Sequence, residues 1–281
     1  MVEKVVNVLD MTRTARDMRL EPTISTPSHL ATQNARELDS VQNKIEFGDT
    51  IAFRSPVIEL NPVQRERERI LPPGASGPMG APYKMLRTQV LRRLDKLGVN
   101  TLAVMSAANA DGKTLTAINL AIAISADQDR TALLVDLDLR NPNVHRRLGF
   151  TPKLGVEDCL DLHKPVQEAM FKVSGYDRLT ILPARERVDH SSDLLASSRT
   201  VTVVNEMRTR YANRILIFDL PPVLQADDAL AFSKLVQAGL IVVGEGKSKR
   251  EDVRRALTLL SDLPIVGTVL NGSRSEGESY Y

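Results

Sequence analysis

The chain has 281 residues, 42% of them hydrophobic, and a formal net charge of +2. That size and apolar content suit one globular α/β domain plus an appendage, and the near-neutral charge gives no electrostatic case for nucleic acid. The single cysteine, Cys159, rules out an intramolecular disulfide and has no Cys or His neighbour at metal-ligand spacing, so it reads as a small buried residue in a reducing compartment and zinc is not expected.

No apolar run approaches the ~20 residues of a membrane span, and the N-terminus lacks the apolar core of a signal peptide, so a cytoplasmic location is expected. Residues 1–80 read as a largely irregular tail and linker: scattered Pro and Ser, the charge run Arg65-Glu66-Arg67-Glu68-Arg69, then the breaker-rich LPPGASGPMGAP. Within it, Val2, Val5, Val6 and Leu9 share one face of a short helix, either a weak helix in a disordered arm or a docking segment.

Residues 81–271 carry the folded pattern. Tyr83, Leu86, Val90, Leu94 and Leu97 recur at helical spacing, with Pro82 suited to the first turn and Gly98 to the stop. Leu102, Val104 and Met105 form a buried strand leading into SAANADGKT, and Leu115, Ile118, Leu120, Ala121 and Ile122 begin a second helix. This strand-loop-helix is a phosphate-binding loop, with Ala107 where many such loops have Gly. Residues Ala108, Asn109, Ala110, Asp111, Gly112, Lys113, Thr114 and Leu115 are expected to line the phosphates of a nucleotide. Gly112 permits close backbone approach, and the helix N-terminus favours an anion. Lys113 would meet the β and γ phosphates, and the Thr114 hydroxyl suits Mg²⁺.

Ala132 to Leu137 is a strand apolar on both faces, as in parallel sheets, and its end carries Asp136, Asp138 and Arg140. Two acids one residue apart face different directions and need not share a role. Leu179 to Leu182 is a further strand and residues 191–212 read as helix. Ile215 to Phe218 ends in Asp219, a second metal-site carboxylate by its place after a buried strand, with Pro221 and Pro222 turning the chain out; Asp227 and Asp228 read as support for the next helix. Leu240 to Val243 and Ile265 to Leu270 are the last strands, separated by a helix with Val253, Ala256, Leu257 and Leu260 on one face. Asn271 ends the last strand, where its amide either reads a purine edge or forms a turn. Residues 272–281 are a polar tail ending in Tyr280 and Tyr281. About six strands alternating with helices argue an α/β fold: a mostly parallel sheet with helices on both faces. The basic pair Arg146, Arg147 and the run from Lys247 to Arg250 read as a solvated face or as local anion sites.

SAANADGKT, LLVDLDLRNP and ILIFDLPPVL together resemble the three nucleotide-site motifs of the bacterial tyrosine kinases of capsule and exopolysaccharide synthesis. The second has Asp-x-Asp-x-Arg at Asp136, Asp138 and Arg140; the third has Asp219 with Pro222 three residues on. The resemblance, which runs from Pro82 to the C-terminus, implies a P-loop NTPase fold of the kind shared with partition and division-site positioning ATPases, and autophosphorylation with MgATP between subunits. It implies catalytic roles for Lys113, Asp136, Asp138 and Asp219, with Asp136 accepting the tyrosine proton, metal contacts from Thr114, Asp138 and Asp219, and a cofactor-site place for Arg140. Tyr280 and Tyr281 become the phosphoacceptors. A separate transmembrane chain-length protein is the implied partner, recruiting the chain to the inner membrane face, with a homo-oligomer as a further implied assembly.

Three departures set this chain apart. Asn109-Ala110-Asp111 stands where relatives commonly have Pro-Gly-acid, and Ala81, Lys84 and Arg87 replace an assembly pattern of Glu, Arg and Arg. The positioning ATPases carry a lysine where this chain has Ala108. Two rival readings follow, a nucleotide-binding adaptor of a polysaccharide polymerase complex and an ATPase acting as a localisation switch.

Overall fold

A strand buried on both faces must have neighbours on both sides and helices above and below. The computed structural model, which describes residues 4–6, 55–210 and 213–273, meets that demand with a nine-stranded sheet. Its strands are β1 (Lys4–Val6), β2 (Val57–Ile58), β3 (Thr101–Ser106), β4 (Thr131–Asp136), β5 (Phe171–Val173), β6 (Tyr176–Leu182), β7 (Arg214–Asp219), β8 (Ala238–Gly244) and β9 (Ile265–Ser273). The order across the sheet is β1-β9-β8-β3-β7-β4-β6-β5-β2. The six strands from β9 to β6 run parallel, while β1 pairs antiparallel with β9 and β5 with β6.

The helices are α1 (Pro62–Arg67), α2 (Gly77–Leu97), α3 (Lys113–Ser125), α4 (Val144–Leu148), α5 (Val156–Leu160), α6 (Ser191–Ala196), α7 (Ser198–Thr209), α8 (Asp228–Ser233) and α9 (Arg250–Leu259). Alternate residues of each central strand feed opposite cores. Leu102, Val104, Leu134, Ile217 and Leu240 pack with α2 and α3, whereas Ala103, Met105, Leu133, Phe218 and Ile241 pack with Val203 and Met207 of α7, Phe232 of α8 and Ala256 of α9. All thirteen residues of α3 are buried, because the sheet covers one side and α2 another; an all-round buried helix needs the apolar run that the sequence supplies after Thr114.

Three expectations are corrected. First, the irregular stretch ends well before residue 80. From Ser55 onward β2 pairs parallel with β5, Asn61 caps α1 by accepting from the Val63 and Gln64 amides, and Ile70 and Leu71 enter the core at 2% exposure. One buried side chain explains how a polar segment is held: Asn119 of α3 accepts from the Leu71 amide at 2.9 Å and donates to the Arg69 carbonyl at 2.9 Å. The Tyr176 hydroxyl adds a 2.6 Å bond to the Leu71 carbonyl. Helix α2 begins at Gly77, so Pro82 lies inside it, and Gly80 lets it pass close to the strap formed by residues 55–76, since a Cβ there would lie 2.6 Å from Ala75. Second, the expected N-terminal helix contains a strand: Lys4–Val6 pairs with β9, an outcome favoured by adjacent β-branched Val5 and Val6 beside an otherwise unpaired edge. The rest of residues 1–54 lies outside the described residues. Third, the helix expected over 191–212 is two, α6 and α7, parted at Ser197, whose hydroxyl caps α7 by accepting from the Thr200 amide.

Candidate functional site

Parallel pairing brings the site together. Asp219 at the end of β7 is in register with Asp136 on β4 and with Val104 on β3, so the phosphate loop and both acidic strand ends share the carboxyl edge of the sheet, where open α/β sheets bind ligands. The loop leaves β3 at Ser106 and enters α3 at Gly112, whose φ of +90° and close contact with Asn271 leave no space for a side chain. Ala110 also adopts a left-handed φ, +64°, which a side chain makes costly. The chain after β7 is tied back to this loop, the Val223 amide donating to the Ser106 carbonyl.

Lys113, 9% exposed, points at the acids: its Nζ lies 2.5 Å from Asp138 Oδ2 and 3.9 Å from Asp219 Oδ1, with the Thr114 hydroxyl at 3.5 Å. Burial acts to lower its pKa, but Asp219 and Asp138 outweigh that and the net displacement is upward, so the ammonium is retained. Asp219 is fully buried and neither carboxylate oxygen has a hydrogen-bond partner of good geometry. Burial drives its pKa up, against the opposing pull of Lys113. An orphaned buried carboxylate beside Thr114 and a displaceable ammonium fits a Mg²⁺ site in which few protein oxygens act directly or through water and phosphate completes the shell.

Asp136 and Asp138 do different work. Asp136 Oδ1 accepts from the Asp138 amide, and Oδ2 from the amides of Asn143 at 3.1 Å and Val144 at 3.0 Å, so this carboxyl shapes the turn from β4 into α4. Burial first, then repulsion from Asp219, raise its pKa well above the ordinary carboxylate value despite those amides. Asp138 alone of the two reaches Lys113.

The other expected residues fall in two groups. Ala108 and Asp111 are joined within the loop, the Ala108 amide facing Asp111 Oδ2 at 3.4 Å, while Asn109 and Ala110 are exposed and Leu115 is buried. Asn271 faces the loop: its amide nitrogen donates to the Asp111 carbonyl at 3.0 Å and so braces it. Arg140 is engaged elsewhere, bonding Asp228 at 2.7 Å and Asp227 at 2.9 Å. Sequence reasoning gave Asp227 and Asp228 to the next helix and missed this pairing, although Asp228 is fully buried. Tyr280 and Tyr281 lie outside the described residues. A cavity of about 520 Å³ lies at the opposite end of α3, between Leu71, Arg87, Ala126 and Arg178, and contains none of these groups.

The family model described as ParA: NUBPL iron-transfer P-loop NTPase matches residues 99–278. The chain belongs to the ParA family of P-loop NTPases. This ParA-family chain is similar to the tyrosine-protein kinase YwqD of Bacillus subtilis (strain 168), 27% identical over 71% of the chain and 83% of that protein. It is also similar to the succinoglycan biosynthesis transport protein ExoP of Rhizobium meliloti (strain 1021), 30% identical over 60% of the chain and 22% of that protein. Among solved structures, the kinase domain of the Escherichia coli tyrosine kinase ETK matches with a TM-score of 0.66 at 21% identity, over 80% of the chain and 91% of that domain, a likeness of fold. The motif resemblance to the bacterial tyrosine kinases is thereby shown at the level of relatives. The iron transfer in the family description has no counterpart in this chain's thiols: an iron–sulfur cluster takes several thiolates, and the one cysteine is buried with its pKa pushed up to about 12. No helix among the described residues is long and apolar enough to cross a membrane.

Proposed function

We propose that this chain is an ATP-dependent protein tyrosine kinase, autophosphorylating between subunits, that regulates exopolysaccharide or capsule synthesis and export. The observation that carries the reading is the meeting of Lys113 with Asp138 and Asp219 at adjoining strand ends. The similarity to YwqD supports it.

Lys113 neutralises Asp138. Binding ATP would draw the ammonium to the β and γ phosphates and free Asp138, which with Thr114 and Asp219 would hold the metal. A Mg²⁺ held there would supply charge neutralisation on the transferred phosphoryl group. In the transfer, the tyrosine oxygen bonds to the γ phosphorus, the bond from that phosphorus to the β–γ bridging oxygen breaks, ADP leaves, and the phenolic proton passes to a carboxylate. The raised pKa of Asp136 suits it to accept the proton, but its three backbone partners mean that the turn from Asp138 to Asn143 must open before tyrosine reaches it. Arg140 acts from the rim of the site through Asp227 and Asp228. A separate membrane chain-length protein recruits the chain to the inner membrane face, and copies of the chain assemble for transfer to Tyr280 and Tyr281.

The adaptor reading keeps one specific support, the left-handed Ala110 in the phosphate loop where relatives commonly have Gly. Incubation with MgATP followed by mass spectrometry separates the two. Phosphotyrosine in wild type and none in Lys113→Met is expected; nucleotide binding without phosphotyrosine in wild type would favour the adaptor.

A further inference from the structure

The polar turn after β8 contributes to none of the chemistry above, yet it is bound to the phosphate loop at two points, and the end of β9 binds the loop at a third. The Ser248 hydroxyl lies 2.7 Å from Asp111 Oδ1 and 2.8 Å from the Gly244 amide nitrogen. An amide can only donate, so the hydroxyl spends its acceptor on Gly244 and its single proton on Asp111; the direction of the relay is fixed. Lys247 Nζ reaches the Ala110 carbonyl at 3.4 Å, and Asn271 Nδ2 reaches the Asp111 carbonyl. The fit is tight: a Cβ on Gly244 would lie 2.8 Å from Asp111 Oδ1, and one on Gly112 would lie 1.8 Å from Asn271 Nδ2. The two bracing segments are joined to each other by the Glu245 amide on the Asn271 carbonyl at 2.9 Å.

Asp111 is therefore a buried hub, 2% exposed, with one oxygen facing the Ala108 amide inside the loop and the other held from outside by Ser248. A loop that must keep Ala110 left-handed and its amides turned toward an anion has a reason to be held from outside, since a left-handed alanine costs roughly 1–2 kcal/mol. We propose that Ser248 is a positioning residue for the nucleotide's phosphate groups, acting through Asp111 to keep the phosphate loop in its binding shape. The inference rests on the reading of that loop as the nucleotide site. It also joins the site to the end of β9, the strand from which the tyrosine-bearing tail continues.

Titration of full-length protein with a fluorescent ADP analogue and Mg²⁺ tests it, comparing wild type, Ser248→Ala and Ser248→Thr. Ser248 is half-buried, and Thr keeps the hydroxyl. A hydrogen bond to a charged group is worth ~1.5–3 kcal/mol, so Ser248→Ala should bind about tenfold more weakly or worse, and Ser248→Thr should recover most of the loss. Amide hydrogen exchange over residues 108–113 of nucleotide-free protein should quicken in Ser248→Ala and not in Ser248→Thr. Wild-type affinity and exchange in Ser248→Ala would overturn the inference, as would a loss that Thr fails to rescue. Failure of wild type itself to bind the analogue would instead remove the nucleotide reading on which it rests, and the inference with it.

Discussion

The carboxyl edge of the sheet and the N-terminal strap, residues 55–76, are both held by buried polar side chains, but in opposite electrostatic states. At the sheet edge, Asp136, Asp219 and Lys113 are buried, and neither carboxylate oxygen of Asp219 has a hydrogen-bond partner of good geometry. In the strap, Asn119 satisfies the Leu71 amide and the Arg69 carbonyl together. Unmet charge is costly to fold around and useful to a polyphosphate and its metal; met hydrogen bonds stabilise and offer a ligand nothing. Mutations in the two regions should therefore divide cleanly between activity and stability.

The largest effect belongs to Lys113→Met. With the one ammonium between the acids gone, ATP turnover should fall by ~10²–10³-fold, the range for removing a group that stabilises transition-state charge. Phosphate release at saturating MgATP measures it, and an unchanged rate would place the chemistry elsewhere.

Asp219→Asn comes next, with ~10–100-fold lost turnover if the carboxylate acts through a metal-bound water. Its stability effect has the opposite sign. Because burial holds the Asp219 pKa above the unfolded value, the folded wild type loses stability as pH rises from the ordinary carboxylate range through the raised pKa. The Asn variant lacks that loss and keeps the Lys113–Asp138 pair, so without nucleotide it should melt above wild type near pH 8, with the gain fading as pH falls toward about 4. A variant that melts lower at every pH would mark Asp219 as a structural acid.

How much of this was legible depended on where the determinants lie along the chain. The phosphate loop, Asp138 and Asp219 were readable because each sits at a fixed offset from an apolar run: the loop follows Met105, Asp138 follows Val135, and Asp219 follows Phe218. The six parallel strands from β9 to β6 were readable for the same reason. The strap was not, because what holds it is Asn119, about fifty positions away and looking like a polar interruption in an apolar helix. Strands β2 and β5 are short and owe their state to each other and to β6, so no local period announces them. The partners of Arg140 were hidden likewise: Asp227 and Asp228 sit 87 and 88 positions on, in a run that looks like an ordinary helix start.

Asn119→Ala sharpens the other side of the comparison. It strands the Leu71 amide and the Arg69 carbonyl in the core, a loss of ~2–4 kcal/mol, or about 4–16 °C in melting temperature at 2–4 °C per kcal/mol. Hydrogen exchange should rise over residues 55–76 while turnover per folded molecule changes little. The smallest effect is expected from Ala110→Gly, which relieves the left-handed alanine and should stabilise by ~0.5–1 kcal/mol after the added unfolded-state entropy of glycine. Differential scanning calorimetry would detect it, and destabilisation would mean that the alanine methyl makes contacts worth more than the strain.

The most direct test of phosphoryl transfer at the Lys113, Asp138 and Asp219 site uses two chains that each lack half of the reaction. A Lys113→Met chain retains Tyr280 and Tyr281; a chain with Tyr280→Phe and Tyr281→Phe retains the site. Mixed with MgATP and resolved by mass spectrometry, they should yield phosphotyrosine on the Lys113→Met chain at Tyr280 or Tyr281 and on neither chain alone. Phosphotyrosine on isolated Lys113→Met, or none in the mixture and none in wild type, would contradict the kinase assignment.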